Sequence, residues 1–220
     1  MGIHRHREME NLNRAVLEMC AHVEQNVRDG TRAFLERDPE LAKRVVDADR
    51  AVDAMETELA ENCLKILALY QPVAGDLRFI LSLAKISSIL ERIGDLAENL
   101  ARKGKNLSRQ EPVAVPPELS LMAERARAML KDSIDSLVDR DPAKARAVVR
   151  ADREVNIGKR EVRKTGEAAI MEAPATCPQW LVIIAASRNI ERMADMAVNI
   201  AAEVVYSVEG KAVRHGFDCE

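Results

Sequence analysis

The sequence has few aromatic residues and no long run of apolar ones. Aromatic residues make up 3% of the 220 positions, although hydrophobic residues make up 47%. Proteins rich in β-sheet rely on aromatic and β-branched side chains, whereas this chain is rich in Ala, Leu, Arg and Glu, which favour helix. No apolar stretch approaches the roughly 20 residues that a membrane-spanning helix needs. The composition therefore predicts a globular protein built from helices.

A strong charge of one sign is also missing, and the cysteines follow no pattern. The formal net charge is −3, with Lys and Arg scattered along the chain, so we expect no nucleic-acid partner. The four cysteines are widely separated and form neither a CxxC pair nor a disulfide framework. They suit a reducing compartment, and the first residues contain no apolar signal core. We therefore expect a cytoplasmic protein.

Motifs of common enzyme classes do not occur in the chain. There is no GxxxxGK phosphate loop, no HExxH zinc motif and no nucleophile elbow. We therefore predict that the protein has no catalytic residues and is not an enzyme.

Apolar periodicity and helix-start signals predict six helices. The clearest start is Asp38-Pro39-Glu40, because Asp caps free amides, Pro suits the first helical position and Glu complements the helix dipole. Beyond it, apolar residues recur every three or four positions and form one stripe: Leu41, Val45, Ala48, Val52, Met55 and Leu59. The predicted helices are Arg5–Glu36, Pro39–Tyr70, Pro72–Gly104, Glu118–Arg140, Pro142–Glu172 and Ala175–Glu209.

The second half of the chain repeats the first. Arg37-Asp38-Pro39 recurs 103 residues later as Arg140-Asp141-Pro142, and the block from Glu91 to Asp95 recurs 100 residues later as Glu191 to Asp195. A three-helix unit duplicated in tandem explains both shifts. Between the copies, residues 106–117 contain three prolines, which oppose helix. We therefore predict an all-α fold of two tandem, pseudo-symmetric three-helix bundles, residues 1–105 and 118–220, joined by a linker at 106–117.

Acidic pairs four positions apart recur in the repeated blocks, which places both members on one helix face: Asp49/Asp53, Glu91/Asp95 and Glu191/Asp195. The fourth expected pair has Asp152 followed by Asn156. On a helical wheel Glu91 and Asp95 lie opposite the apolar residues of their helix, so we expect them to face solvent or a shallow groove, and we expect the acidic pairs in general to face outwards. Taken singly, each pair is typical of a solvated acidic face. If pairs on two adjacent helices converge, a hard cation would relieve their repulsion, and Asn99 and Asn199 could add neutral oxygen ligands.

The blocks Gln71-Pro72-Val73-Ala74-Gly75-Asp76-Leu77-Arg78, Glu91 to Asp95 and Glu191 to Ala201 resemble the PhoU family, and the resemblance covers essentially the whole chain. It implies two three-helix bundles whose E(D)xxxD motifs bind multinuclear metal clusters, often of iron, in some members. The implied ions are divalent or trivalent, iron first, with zinc, manganese and magnesium as alternatives. The metal residues that it implies are Asp49, Asp53, Glu91, Asp95, Asp152, Glu191 and Asp195. From their positions in the sequence, Asn99, Asn156 and Asn199 could add further oxygen ligands. Because Asn156 departs from the acidic pattern, we expect the second site to bind metal weakly or not at all.

The resemblance also implies a role and partners. PhoU-like proteins damp phosphate uptake and signalling through the phosphate ABC transporter and its sensor histidine kinase. The implied partners are therefore the transporter's ATPase subunit and the kinase, with membrane contact only through them, and the implied assembly is a homodimer. Two alternatives stay open, a carboxylate-bridged metalloenzyme and a metal-free helical adaptor. The chain has no Glu followed three residues later by His, which di-iron bundles typically carry, and this argues against the enzyme.

Overall fold

The computed structural model describes residues 2–211, with side chains from residue 5 onwards, as six long helices. They are α1 Gly2–Leu35, α2 Pro39–Tyr70, α3 Ala74–Leu107, α4 Pro117–Asp139, α5 Pro142–Glu172 and α6 Cys177–Glu209. The described residues contain no strand, and none of their helices is long and apolar enough to cross a membrane. The predicted all-α fold with six helices is confirmed, and every predicted helix end lies within three residues of the observed one.

The same cap begins the second helix of each copy. Asp38 precedes α2, and its Oδ1 accepts hydrogen bonds from the amides of Glu40 at 2.9 Å and Leu41 at 3.0 Å. Asp141 precedes α5 and accepts from the two equivalent amides at 2.8 and 3.2 Å. The arginine before each cap lies in the left-handed region, with φ values of 54° and 50°. The repeated sequence block thus produces the same helix-to-helix turn twice.

The helices pack as two groups of three that share a core. α1, α2 and α3 contact one another, as do α4, α5 and α6, while α3 packs against α6 and α1 against α4. One continuous cluster of buried apolar residues runs through both groups. The contact between α3 and α6 places the two copies side by side, with the repeated acidic blocks on α2 and α3 in one copy and on α5 and α6 in the other.

The predicted apolar stripe of α2 faces the interior. Leu41, Val45, Val52 and Leu59 are buried, whereas Ala48 and Met55 are half-buried at its edges. This stripe fixes the rotation of α2 and therefore decides which of its acidic residues face α3.

The segment between α3 and α4, residues 108–116, begins in a turn and continues without regular secondary structure. It is tied to the first bundle, because the Nη2 atom of Arg37 donates a hydrogen bond to the carbonyl of Val113 at 2.7 Å. The helix before it continues to Leu107, two residues beyond the predicted end of the first domain. The division into domains 1–105 and 118–220 stays a prediction.

Two glycines allow α1 and α3 to cross closely. A Cβ atom added at Gly104 on α3 would lie 2.5 Å from the carbonyl oxygen of Ala33 on α1. A Cβ added at Gly30 on α1 would lie 2.5 Å from the carbonyl oxygen of Ala97 on α3. Both contacts are with backbone, which cannot rotate aside as a side chain can. The spacing of the two helices therefore depends on residues without a side chain.

We expect Gly104→Ala to lower the free energy of unfolding by about 2 to 3 kcal/mol, because relief of the clash requires the two helices to separate. The matched control is Gly75→Ala in the same helix, where nothing lies within 4 Å of the added Cβ. Alanine is the better helix former, so the control should be neutral or more stable by up to about 1 kcal/mol. Urea unfolding followed by circular dichroism measures both variants. Equal changes in the two would contradict the close packing at Gly104.

Candidate metal centre

Three carboxylates from two helices meet in the first bundle. They belong to Asp49 and Asp53 on α2 and Asp95 on α3, and one oxygen of each lies within 4.8 Å of the other two. Within residues 2–211 this is the one cluster of three or more acidic, histidine or cysteine side chains with such spacing. A set made only of carboxylate oxygens suits hard cations. The convergence expected from the acidic pairs therefore occurs between α2 and α3.

Asp49 is the buried member of this group. Its exposed fraction is 6%, and its Oδ1 atom is buried without a hydrogen-bond partner. Gly94 on α3 leaves the space that this carboxylate fills, because a Cβ there would lie 2.7 Å from Asp49 Oδ1. The prediction that the acidic pairs face outwards is wrong for Asp49, although Asp53 and Asp95 are exposed as expected. A buried carboxylate without a partner is costly, and a cation would satisfy it.

Burial and mutual repulsion raise the pKa values of this cluster. Burial, followed by the charges of Asp53 and Asp95, raises the pKa of Asp49 to about 7. Burial and then the charges of Asp53 and Glu98 raise the pKa of Asp95. The pKa of Glu91 is also raised, first by burial and then by Asp95 and Asp53. Without a cation, the site is therefore a set of carboxylates held close together against their repulsion.

The other predicted ligands of the first bundle lie around this group of three. Glu91 is half-buried one turn before Asp95 on α3 and is outside the 4.8 Å group. Asn99, one turn after Asp95, donates its Nδ2 hydrogen to the backbone carbonyl of Asp95 at 3.0 Å. Its side-chain oxygen is the atom that could add to a metal site.

Two acidic residues of this site were missed by the sequence reasoning. Glu56 on α2 is close enough to raise the pKa of Glu91, and Glu98 on α3 raises the pKa of Asp49. Each follows a predicted ligand by three residues, Asp53 in one case and Asp95 in the other. Neighbours three apart share a helix face just as neighbours four apart do. A search that included this spacing would have found both.

The second bundle arranges the equivalent residues differently. On α5 the Nδ2 atom of Asn156 donates a hydrogen bond to Asp152 Oδ2 at 2.6 Å. Lys159, also on α5, donates from Nζ to Glu191 Oε1 on α6 at 2.5 Å. Burial and the charge of Glu191 raise the pKa of Asp152, while the Asn156 hydrogen bond and the Lys159 ammonium lower it. Each acidic side chain thus has a partner from the chain itself, although Asp152 Oδ1, like Asp49 Oδ1, is buried without a hydrogen-bond partner.

The fit to a metal ion therefore differs between the bundles. In the first, a buried and unpartnered carboxylate oxygen faces two further carboxylates, and these residues fit a hard cation. In the second, Asp195 is exposed and Asn199 half-buried, and no third carboxylate joins Asp152 and Glu191 at comparable spacing in the part of the chain that the structure describes. The residues of the second bundle do not form a cradle of the same kind.

We expect the metal-free protein to become less stable as the pH rises from about 4 to about 7, because Asp49 loses its proton at a higher pH in the folded protein than in the unfolded chain. The folded protein holds this proton up to a pKa of about 7, whereas the unfolded chain releases it near the ordinary value of 3.8. Because the folded state binds more protons in this window, the free energy of unfolding decreases as the pH rises. Urea unfolding across the window, in chelator, should show a steeper fall for the parent than for Asp49→Asn.

Adding a hard cation should reverse the slope in the parent alone, because metal competes with the proton for the carboxylate. If the free energy of unfolding changes with pH in the same way for the parent and for Asp49→Asn, both in chelator and with added cation, the burial of this carboxylate is contradicted.

Known proteins with similar sequences share the division of this chain into two similar halves. Residues 16–104 and 119–204 each match the PhoU domain, one match per bundle. The phosphate-specific transport system accessory protein PhoU of Serratia marcescens is 34% identical over 210 residues, which cover 94% of this chain and 86% of that protein. The PhoU homolog of Aquifex aeolicus is 32% identical over 209 residues, which cover 95% of each chain.

Two solved structures of PhoU proteins have the same fold as this chain. The crystal structure of PhoU from Pseudomonas aeruginosa superposes with a TM-score of 0.90 at 33% identity, covering 94% of this chain and 99% of that one. The phosphate transport system regulatory protein PhoU from Streptococcus pneumoniae, at 24% identity and a TM-score of 0.89, shares the fold and covers 96% of this chain. Because the domain matches both bundles and the relatives align over nearly the whole chain, this protein belongs to the PhoU domain family.

Proposed function

We propose that this chain regulates phosphate uptake and phosphate-starvation signalling by binding, without catalysis. Its proposed partners are the ATPase subunit of the phosphate ABC transporter and the associated sensor histidine kinase, which it meets in the cytoplasm as a homodimer. The observation that carries the proposal is that its relatives are named as accessory proteins of the phosphate-specific transport system and align over 94 to 95% of this chain. An accessory protein acts through the transport system, so contact with that system is the simplest route.

The composition of the acidic site supports binding over catalysis. The group Asp49, Asp53 and Asp95 contains neither histidine nor cysteine, and two of its three members are exposed. Carboxylates of this kind hold a cation, whereas di-iron enzymes of helical bundles add inward-facing Glu-x-x-His ligands. The proposed cation is iron, with manganese or magnesium next, and zinc suits an all-oxygen set least because it usually takes nitrogen and sulfur ligands.

The proposed role of the cation is structural. Asp49 and Asp53 belong to α2, and Asp95 belongs to α3, so shared ligation would hold the two helices together along their exposed edge. When bound, the metal ion would neutralise carboxylates that otherwise repel one another. The regulator can shift a partner's equilibrium only by binding the two states of that partner with different affinity. A face of fixed shape and charge meets this requirement better than one whose buried carboxylate, Asp49, changes protonation near neutral pH.

Copurification with each partner tests the proposal directly. A tagged transporter ATPase subunit and a tagged kinase are each recovered from cells grown with high or low phosphate, and the amount of this chain retained is measured. We expect more of the chain to be retained from cells with high phosphate, where the response is switched off. Retention on neither partner under either condition would contradict the proposed function.

The same copurification separates the metal-dependent regulator from a metal-free adaptor. Asp49→Asn/Asp53→Asn should reduce retention, whereas the matched change in the other bundle, Glu191→Gln/Asp195→Asn, should reduce it less. Equal retention of the parent and both variants would favour the adaptor.

A further inference from the structure

The second bundle carries a lysine where the first carries a glutamate. Lys159 follows Asp152 by seven residues, as Glu56 follows Asp49, and seven residues are close to two helical turns. Both residues therefore lie on the same face as the first acidic residue of their block. The repeat places opposite charges at one structural position in the two bundles.

The contacts of the two residues differ accordingly. In the first bundle, the charge of Glu56 adds to the repulsion at Glu91 and helps to raise its pKa. In the second bundle, Lys159 Nζ lies 2.5 Å from Glu191 Oε1, the residue equivalent to Glu91. The ammonium also acts on Asp152, where it opposes the rise in pKa that burial and the charge of Glu191 cause. Lys159 thus stands between acidic side chains of α5 and α6, as a cation between α2 and α3 would.

We propose that the Lys159 ammonium is the built-in cation of the second bundle and makes that bundle independent of metal. The inference deepens the proposed function, on which the comparison with the first bundle rests. Asn156 also replaces an acidic residue, because it stands at the position equivalent to Asp53. Its side-chain amide donates a hydrogen bond to Asp152. Two acidic positions of the first bundle are therefore replaced by one donor amide and one ammonium.

The space available in the second bundle agrees with this assignment. Gly94 leaves room for the buried carboxylate of Asp49, since an added Cβ would lie 2.7 Å from its Oδ1 atom. The equivalent residue of the second bundle is the buried Ala194, which carries that Cβ. As a whole side chain Asp152 is half-buried, whereas Asp49 is buried, although the Oδ1 atoms of both are buried without a hydrogen-bond partner. The cradle that the first bundle offers to a metal ion is thus narrowed in the second.

The burial of the ion pair gives it a measurable effect. The Glu191 side chain is 17% exposed and that of Lys159 is 32% exposed, so solvent screens the pair less than a surface pair. Removing one member of such a pair leaves the other charge uncompensated. Lys164 on the same helix offers a matched contrast, because it pairs with Glu161 at 70% and 47% exposure.

Thermal unfolding of the full chain in chelator tests the inference without any metal. Lys159→Met should lower the melting temperature by on the order of 5 °C, from the loss of one half-buried charge partner in a chain of this size. Lys159→Arg, which keeps the charge, should restore most of the loss, and Lys164→Met should change the melting temperature little. A melting temperature for Lys159→Met equal to that of Lys164→Met would overturn the inference.

The amount of metal bound per chain gives a second test of the inference about Lys159. In a chain whose first site is removed by Asp49→Asn/Asp53→Asn, we expect almost no bound manganese or iron by elemental analysis. Adding Asn156→Asp/Lys159→Glu/Ala194→Gly should bring binding back to about one ion per chain, because the second bundle then carries the acidic set and the glycine of the first. Metal retained at the second bundle with Lys159 in place would overturn the inference, as would no gain in a swapped chain that folds.

Failure of the proposed metal site in the first bundle can be told apart from failure of the inference about Lys159. If the parent itself binds no metal, the proposed metal site of the first bundle fails, while the melting temperature of Lys159→Met still decides whether Lys159 is the internal cation.

Discussion

Deletion of the gene for this chain is expected to leave the phosphate-starvation response switched on when phosphate is plentiful. Without the regulator, the transporter and kinase lose the contact that we propose holds the response off. Couplings between binding events are typically 5- to 150-fold, so a starvation reporter should rise roughly tenfold or more at high phosphate. Reporter expression in the deletion strain, compared with the parent strain in the same medium, is the measurement.

Complementation controls this result. The parent chain and the stability control Gly75→Ala should both restore repression, whereas Gly104→Ala should restore it less because less folded protein is present. Normal repression in the deletion strain, without a second copy of the gene, would contradict the proposed function and leave the fold untouched.

The helices were predictable because their signals are local. The Asp-Pro pairs at 38–39 and 141–142 begin α2 and α5 as predicted, since a cap and a proline act within one turn. The start of α6 was predicted two residues early, because residues Pro174–Thr176 form a 3₁₀ turn before the α-helix begins at Cys177. That difference depends on how the chain packs at the helix entry, which periodicity does not encode.

The candidate site was predictable in its residues but not in its geometry. Spacing of four placed Asp49 and Asp53 on one face, and the repeat identified the matching block on α3. The burial of Asp49 could not be predicted, because it depends on the missing side chain of Gly94 on another helix. Helical periodicity describes the faces of one helix, whereas burial depends on what the partner helix presents.

The asymmetry between the bundles was only partly predictable. Asn156 marked the second copy as less acidic. Lys159 does not stand out by acidic spacing because it is not an acidic residue, although the repeat aligns it with Glu56. Its ion pair with Glu191 requires α5 and α6 to pack as α2 and α3 do, which the structure supplies. Comparing the charges of repeated positions, and not only their shared residues, would have identified it.

Replacing the carboxylates of α3 by Glu91→Gln/Asp95→Asn is expected to remove nearly all bound metal. The change takes Asp95 from the group of three and leaves only Asp49 and Asp53 of that group, with Glu56 and Glu98 outside it. Hard cations need several oxygen ligands with negative charge, so the remaining pair should bind at least about tenfold more weakly. Elemental analysis of protein made without a histidine tag measures the metal per chain.

The equivalent change in the second bundle, Glu191→Gln/Asp195→Asn, is the matched control and should leave the metal content almost unchanged. Glu191 is paired with the Lys159 ammonium, and a cation arriving there would have to displace that charge against electrostatic repulsion. At the position of that lysine the first bundle carries Glu56 instead, which adds negative charge. Bound metal should therefore follow the carboxylates of α2 and α3 alone, and equal losses in the two double variants would refute this asymmetry.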